Sequence, residues 1–381
     1  MKKLLSLLFI ILLNTSLIQS LPNPAVYNDA DINALQNIYN HHTTALIHWN
    51  LSVPEDIEEV EWECIDDVFR VVSLDLSDTD ISGNIDLSHF EYIEHYSFSN
   101  TNINEIILPE YLNSIPKQAF YSCGNLEYIN IPQCINKIEN SAFRNCSNLK
   151  SVILNNSDTT ISSEAFSGCV SLECIVNANN ISSIGRNAFS NCDQLAFYDN
   201  DVENVYIKNY TQDMGYTFST NVISTLAGYV SVMTNGKEQI SRGYPYKLGT
   251  AYLYDENSTL IEEIQLNSEG QFSFNNLSIG HKYRIVIDGQ FAIARDFYVI
   301  ATQANYTIST KDESLPVITC DFNKDGIITN TDTQILFWKC ASSDPNEKEL
   351  YDLNGDNVVN VSDAGVLFAL LAYLNENGYI Y

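Results

Sequence analysis

The sequence predicts a multidomain chain: a solenoid of short parallel strands, a small antiparallel β-sandwich, and an all-α C-terminal module carrying two acidic loops. Three observations predict it. Ala-Phe pairs recur every 23 residues at Ala119-Phe120, Ala142-Phe143, Ala165-Phe166 and Ala188-Phe189, each followed by Cys123, Cys146, Cys169 or Cys192. Period-2 apolar segments separated by Gly turns occupy residues 222–312. Two twelve-residue loops rich in Asp and Asn begin 31 residues apart, at Asp321 and Asp352.

Charge narrows the partners. The 381 residues hold 48 acidic against 19 basic side chains, a net charge of −29. Phosphate binding needs clustered Lys and Arg, so nucleic acid is excluded, as is docking on an anionic membrane surface. Such a charge suits calcium, a basic partner or solubility. Hydrophobic residues make up 45%, enough to build real cores.

Residues 1–20 read as a signal peptide: Lys2 and Lys3, an apolar run from Leu4 to Leu13, then a polar stretch through Ser20. The run is too short to span a bilayer, and no later stretch is long enough, so an exported protein without membrane insertion is expected. Export favours disulfides among the nine Cys. Their recurrence favours inward-pointing thiols instead, and an odd count leaves at least one unpaired.

The repeats occupy residues 65–205. After each Cys come Leu126, Leu149, Leu172 or Leu195, then strand positions Ile129 and Ile131, Val152 and Leu154, or Ile175. Ile115, Ile138, Ile161 and Ile184 complete the frame; Ile93, Phe98, Ile106 and Leu108 fit it with one residue fewer. One unit cannot bury its apolar face alone, so the units stack. Period and signature resemble leucine-rich repeats of the bacterial surface-antigen type. Residues 21–64 read as an N-terminal cap, with Ala34, Leu35, Ile38 and Tyr39 at helical spacing and Trp49, Trp62 and Cys64 following. His41, His42 and His48 here are either a metal or catalytic cluster or, as the absent ligand spacing favours, cap surface. Residues 206–221 read as linker or end cap.

In the middle domain, residues 222–312, six strands are expected: 227–232, 251–254, 261–266, 272–274, 283–287 and 297–300. The run from Ser268 to Tyr283 resembles the carboxypeptidase regulatory-like, transthyretin-like module, which implies a spacer or adhesion role, with His281 as a turn residue.

The C-terminal module, residues 316–381, follows the calcium-loop pattern twice. Expected ligands are Asp321, Asn323, Asp325, the Ile327 carbonyl, Thr329 and Asp332; then Asp352, Asn354, Asp356, the Val358 carbonyl, Asn360 and Asp363. Gly326 and Asn357 stand at the sharp turn, where a left-handed backbone is needed. Apolar helices are expected after each loop, at Ile335, Leu336 and Phe337, and at Val366, Leu367, Leu370, Leu371 and Leu374. A duplicated loop and exiting helix at the C-terminus of an exported protein resembles a dockerin. That resemblance implies two Ca²⁺ ions and a cohesin domain of a scaffoldin as partner, contacted by Asn330, Thr331, Phe337 and Trp338 and by Val361, Ser362, Phe368 and Ala369. The halves differ there, which puts binding in two orientations in doubt.

Together these readings lead to a secreted, non-catalytic component of a cellulosome-type complex, held at the cell surface through the scaffoldin. Its solenoid would present a surface to an unidentified protein or polysaccharide; the 23 Tyr serve as sugar platforms or as ordinary strand residues. The alternative is a polysaccharide-degrading, glycoside hydrolase-like subunit. Against it, no segment is left for a separate catalytic domain, and no G-x-S-x-G or H-E-x-x-H motif occurs.

Overall fold

In the computed structural model, the described residues are 26–46, 48–200, 204–234, 237–239, 249–267, 270–288, 295–308, 315–318, 334–336 and 367. The predicted signal peptide lies outside them.

The solenoid is built by handing hydrogen bonds from each turn to the next. Phe120, Phe143 and Phe166 N–H each donate to the Ala carbonyl of the following repeat, at Ala142, Ala165 and Ala188 (2.8 Å). The periodic thiols point inward and donate back to the preceding repeat: Cys123 to Phe98 O (2.9 Å), Cys146 to Phe120 O (3.0 Å), Cys169 to Phe143 O (3.0 Å) and Cys192 to Phe166 O (3.2 Å). In the shorter first copy Thr101 takes the Cys place, its hydroxyl donating to its own repeat's Phe98 O. All seven described cysteines are free thiols. The phenyl rings stack in one column from Phe98 through Phe120, Phe143 and Phe166 to Phe189, with centroids 5.0–6.0 Å apart.

The tight turns demand left-handed backbone. Ser122, Asn145, Gly168 and Asn191 occupy one such position in successive repeats, at φ 59°, 63°, 81° and 66°. An L-residue there costs roughly 1–2 kcal/mol, which explains the Asn and Gly. A Cβ on Gly168 would also lie 2.4 Å from Asn145 Oδ1.

Two parallel sheets of four and five strands line the later coils. One pairs Ser114–Ile115, Lys137–Ile138, Thr159–Ile161 and Ile181–Ile184. The larger runs Tyr128–Ile131, Ser151–Leu154, Cys174–Val176, Ala196–Tyr198 and Thr217–Ser219. Both ends are covered. At the N-terminal end the helix Asp29–His41, capped by Asn28, buries Ala34, Leu35 and Ile38. Its buried Asp31 accepts from Arg70 Nε (3.0 Å) and Val71 N (2.9 Å), pinning the helix to strand Val68–Asp75. At the other end, residues read as linker or cap carry helix Val205–Met214, and Tyr210 and Tyr216 close over Phe197.

Two further sheets enclose a second core of Leu226, Leu253, Phe272, Phe274, Ile285 and Ile287. All six expected strands are present, as Ile223–Thr234, Thr250–Tyr254, Leu260–Gln265, Gln271–Ser278, Lys282–Asp288 and Arg295–Ile300. The expectation of an all-antiparallel sandwich is corrected. After Arg295–Ile300 the chain crosses to the other sheet, where Asn305–Thr307 and Leu315–Ile318 run alongside Ile223–Thr234 in the same direction. That sheet is therefore mixed. No helix among the described residues is long and apolar enough to cross a membrane, which says nothing about a β-barrel.

Phe143 lies mid-column, fully buried between Phe120 and Phe166. Phe143→Ala is expected to destabilise the solenoid by about 3–5 kcal/mol. Urea unfolding followed by circular dichroism measures it; a loss below about 1 kcal/mol would mean that the ring column is not the core.

Candidate functional site

The larger sheet's register sets two outward rows. One is Tyr128, Ser151, Cys174 and Ala196; the other is Asn130, Ile153, Val176 and Tyr198. The inward row between them is Ile129, Val152, Ile175 and Phe197. Upstream the face continues through paired strands Ser82–Asp86 and Asn102–Ile107, which place Asn84 beside Glu105 and Asp86 beside Ile107.

This strand face is partly covered by the sandwich. Tyr128, Ile153, Cys174 and Val176 form one apolar cluster with Ile279 and Ile300. Polar bonds frame it. Ser151 Oγ donates to Gly280 O (2.7 Å), and Tyr128 OH donates to Glu256 Oε2 (2.8 Å). Lys282 Nζ pairs with Glu105 (2.7 Å) and sits 4.6 Å from the Tyr298 ring centre. Thr302 Oγ1 bonds the Glu173 carboxylate. Gly280, at φ 84°, makes the close approach possible: a Cβ there would lie 2.3 Å from Val176 Cγ2 and 2.9 Å from Ser151 Oγ.

Two clefts remain beside this contact. The larger, about 990 Å³, has a floor from Glu105–Leu108, Tyr128 and Asn130 and a wall from Glu256 and Asn257. The smaller, about 440 Å³, lies between Asn84, Lys150 and Lys282. Burial, with Glu256 beside it, pushes the Tyr128 phenol well up, so it remains a hydrogen-bond donor. Burial pushes the Cys174 thiol up to about 12 and the Cys123 thiol up to about 11, the reverse of what a nucleophile needs. Burial pushes the His281 pKa down, at the turn where the sequence places it.

The histidines of the cap do not form a cluster. His41 Nδ1 meets Asn37 O (2.7 Å), and His48 Nε2 meets Glu59 (2.5 Å). Burial lowers the pKa of His42, whose Nε2 has no partner among the described residues. Among the described residues no group of three or more His, Cys, Asp or Glu is placed to hold a metal.

All twelve expected calcium ligands, from Asp321 to Asp332 and from Asp352 to Asp363, lie outside the described residues. So do the expected cohesin contacts Asn330, Thr331, Phe337, Trp338, Val361, Ser362, Phe368 and Ala369. Within that module, residues 334–336 and 367 are helical, and Leu336 and Leu367 are fully buried.

Sequence reasoning missed the docking of the sandwich, though a signal existed. Ser151–Leu154 is buried at all four positions and Cys174–Val176 at all three. Val-Ile-Leu and Cys-Ile-Val are unbroken apolar runs where a strand with one wet face alternates, and such runs mark burial on both faces.

Residues 76–196 match the family model described as BspA type leucine rich repeat region, in six copies. The repeats are therefore of that type. No curated protein matches the chain. Among solved structures, a type II cohesin–X–dockerin complex from Acetivibrio cellulolyticus, an N-terminal interface mutant, is 21% identical over 38% of this chain and 92% of its own, with a TM-score of 0.31. A T. pallidum leucine-rich-repeat protein is 16% identical over 43% of this chain and 97% of its own, with a TM-score of 0.27. Scores this low carry no argument about fold or partner.

Gly280→Val is expected to part the sandwich from the strands and to expose Cys174, which is fully buried in the docked form. Maleimide labelling mapped by mass spectrometry should rise at Cys174, with circular dichroism unchanged. Continued protection of Cys174 would mean that the contact tolerates the added methyls.

Proposed function

We propose that the protein is a secreted, non-catalytic binding component of a cellulosome-type complex. Its C-terminal module docks on a cohesin domain of a scaffoldin in a calcium-dependent way, and the solenoid and sandwich together present a surface to a protein or carbohydrate ligand. The observation that carries the anchor is the duplication: two loops with oxygen-bearing residues at ligand spacing, beginning at Asp321 and Asp352. Leu336 and Leu367 stand at the same offset from each loop (321 to 336, 352 to 367), both helical and fully buried. Residues 1–20 would direct export, and two Ca²⁺ ions would offset four of the loop charges.

The non-catalytic reading rests on how the residues are used. Repeats, sandwich and calcium module occupy nearly all of the sequence after the signal. The described thiols with displaced pKa values are displaced upward, led by burial. The glycoside hydrolase-like alternative needs two carboxylates about 5–10 Å apart across a sugar site.

Asp321→Ala with Asp352→Ala is expected to abolish calcium binding by titration calorimetry and cohesin capture together. Equal cohesin affinity in chelator would overturn the anchor. A hydrolysis assay on plant polysaccharides should show no turnover; turnover lost on replacing one carboxylate would establish the enzyme instead.

A further inference from the structure

We propose that the larger cleft binds an extended, cationic peptide segment of a partner protein. This deepens the reading of the solenoid and sandwich as a binding surface and rests on it.

The cleft lies at a seam in the strand face. Asn102–Ile107 pairs with Ser82–Asp86, and Tyr128–Ile131 pairs with Ser151–Leu154, but no ladder joins the two pairs among the described residues. Ile107 opens onto this seam and is 51% exposed. Its ladder partner is Asp86, and no strand pairs on its other side among the described residues. Ile107 thus leaves apolar surface open at the seam, and an incoming apolar side chain would cover it.

The lining is matched to peptide groups. Gln133 and Asn257 line the cleft, and their side-chain amides have no hydrogen-bond partner among the described residues. An amide both donates and accepts, so it can pair with a peptide N–H and C=O alike. The charge is one-sided. Glu105 is neutralised by Lys282, but among the described residues Glu110 has no ion-pair partner, and the donors to Glu256 are the neutral groups of Tyr128 and Asn130. Among the described residues no Lys, Arg or His lines the cleft. A Lys or Arg side chain would meet two uncompensated carboxylates, a complementarity that sets specificity and encounter rate. A sugar finds less: among the described lining residues the aromatic ring is that of Tyr128, which is 7% exposed and whose hydroxyl is engaged.

The full chain in calcium is titrated, by fluorescence anisotropy, into a labelled nonapeptide alternating Lys and Val. Gln–Val and Glu–Val counterparts serve as comparisons, and a soluble cello-oligosaccharide as competitor. The Lys–Val peptide is expected to bind, more weakly as salt rises, and the counterparts to bind at least about tenfold more weakly. Glu110→Gln with Glu256→Gln should weaken it about tenfold. Glu61→Gln with Glu63→Gln, the same charge change on the exposed side of strand Val60–Ile65, should leave it unchanged. Equal losses in both pairs would show attraction to the overall charge and overturn the proposal. So would equal binding of the Glu–Val peptide, or an oligosaccharide that binds and loses affinity with the cleft pair only. Cohesin capture retained by the cleft variants separates failure of this site from failure of the C-terminal anchor.

Discussion

Everything in the solenoid depends on the contact between one turn and the next. A 23-residue unit holds few internal contacts, and its stability comes from its neighbours. Each unit supplies a carbonyl that the next unit's thiol bonds, an Ala carbonyl for the preceding unit's Phe N–H, and a ring for the column. The cysteine is suited to this place because it is small and apolar yet carries a weak donor. Thr101 fills the same position with a hydroxyl that satisfies itself locally. The array therefore needs covers at both ends, which the Asp29–His41 helix and the Val205–Met214 helix provide.

The sandwich uses what the solenoid exposes. Parallel strands buried on both faces are the rule where something packs on each side, and here the outer layer comes from the same chain. The contact is mixed: an apolar centre, with a serine–carbonyl bond and a lysine–glutamate pair at its edges. A glycine at positive φ lets the backbone approach more closely than any side chain would permit. The clefts arise from this docking, since each is walled by both units.

Much of this was legible in the sequence, for a physical reason. Ala142, Phe143 and Cys146 recur because every turn meets the same neighbour geometry, so the period, the inward thiols and the ring column follow from spacing alone. The sandwich strands were legible because their alternation reports one buried face. The parallel return of Asn305–Thr307 was not, since strand direction is set by the chain's path between sheets and leaves no mark on composition. The docking contact was partly legible, in the unbroken runs at Val152–Leu154 and Cys174–Val176. The cleft was not, because it joins Glu110 to Glu256 through tertiary placement.

Repeat arrays are commonly free to change length, since a unit added or lost leaves every remaining neighbour pair intact. Here that freedom ends where the sandwich is bonded to four successive coils, through Glu105, Tyr128, Ser151 and Glu173. Deleting a coil within this stretch would slide every later anchor by one strand spacing, about 4.8 Å, out of reach of its partner. A coil added ahead of Glu105 would leave these four anchors in place. The sandwich thus acts as a ruler laid along the array: it fixes the number of coils from Glu105 onward and leaves the count ahead of them open to drift.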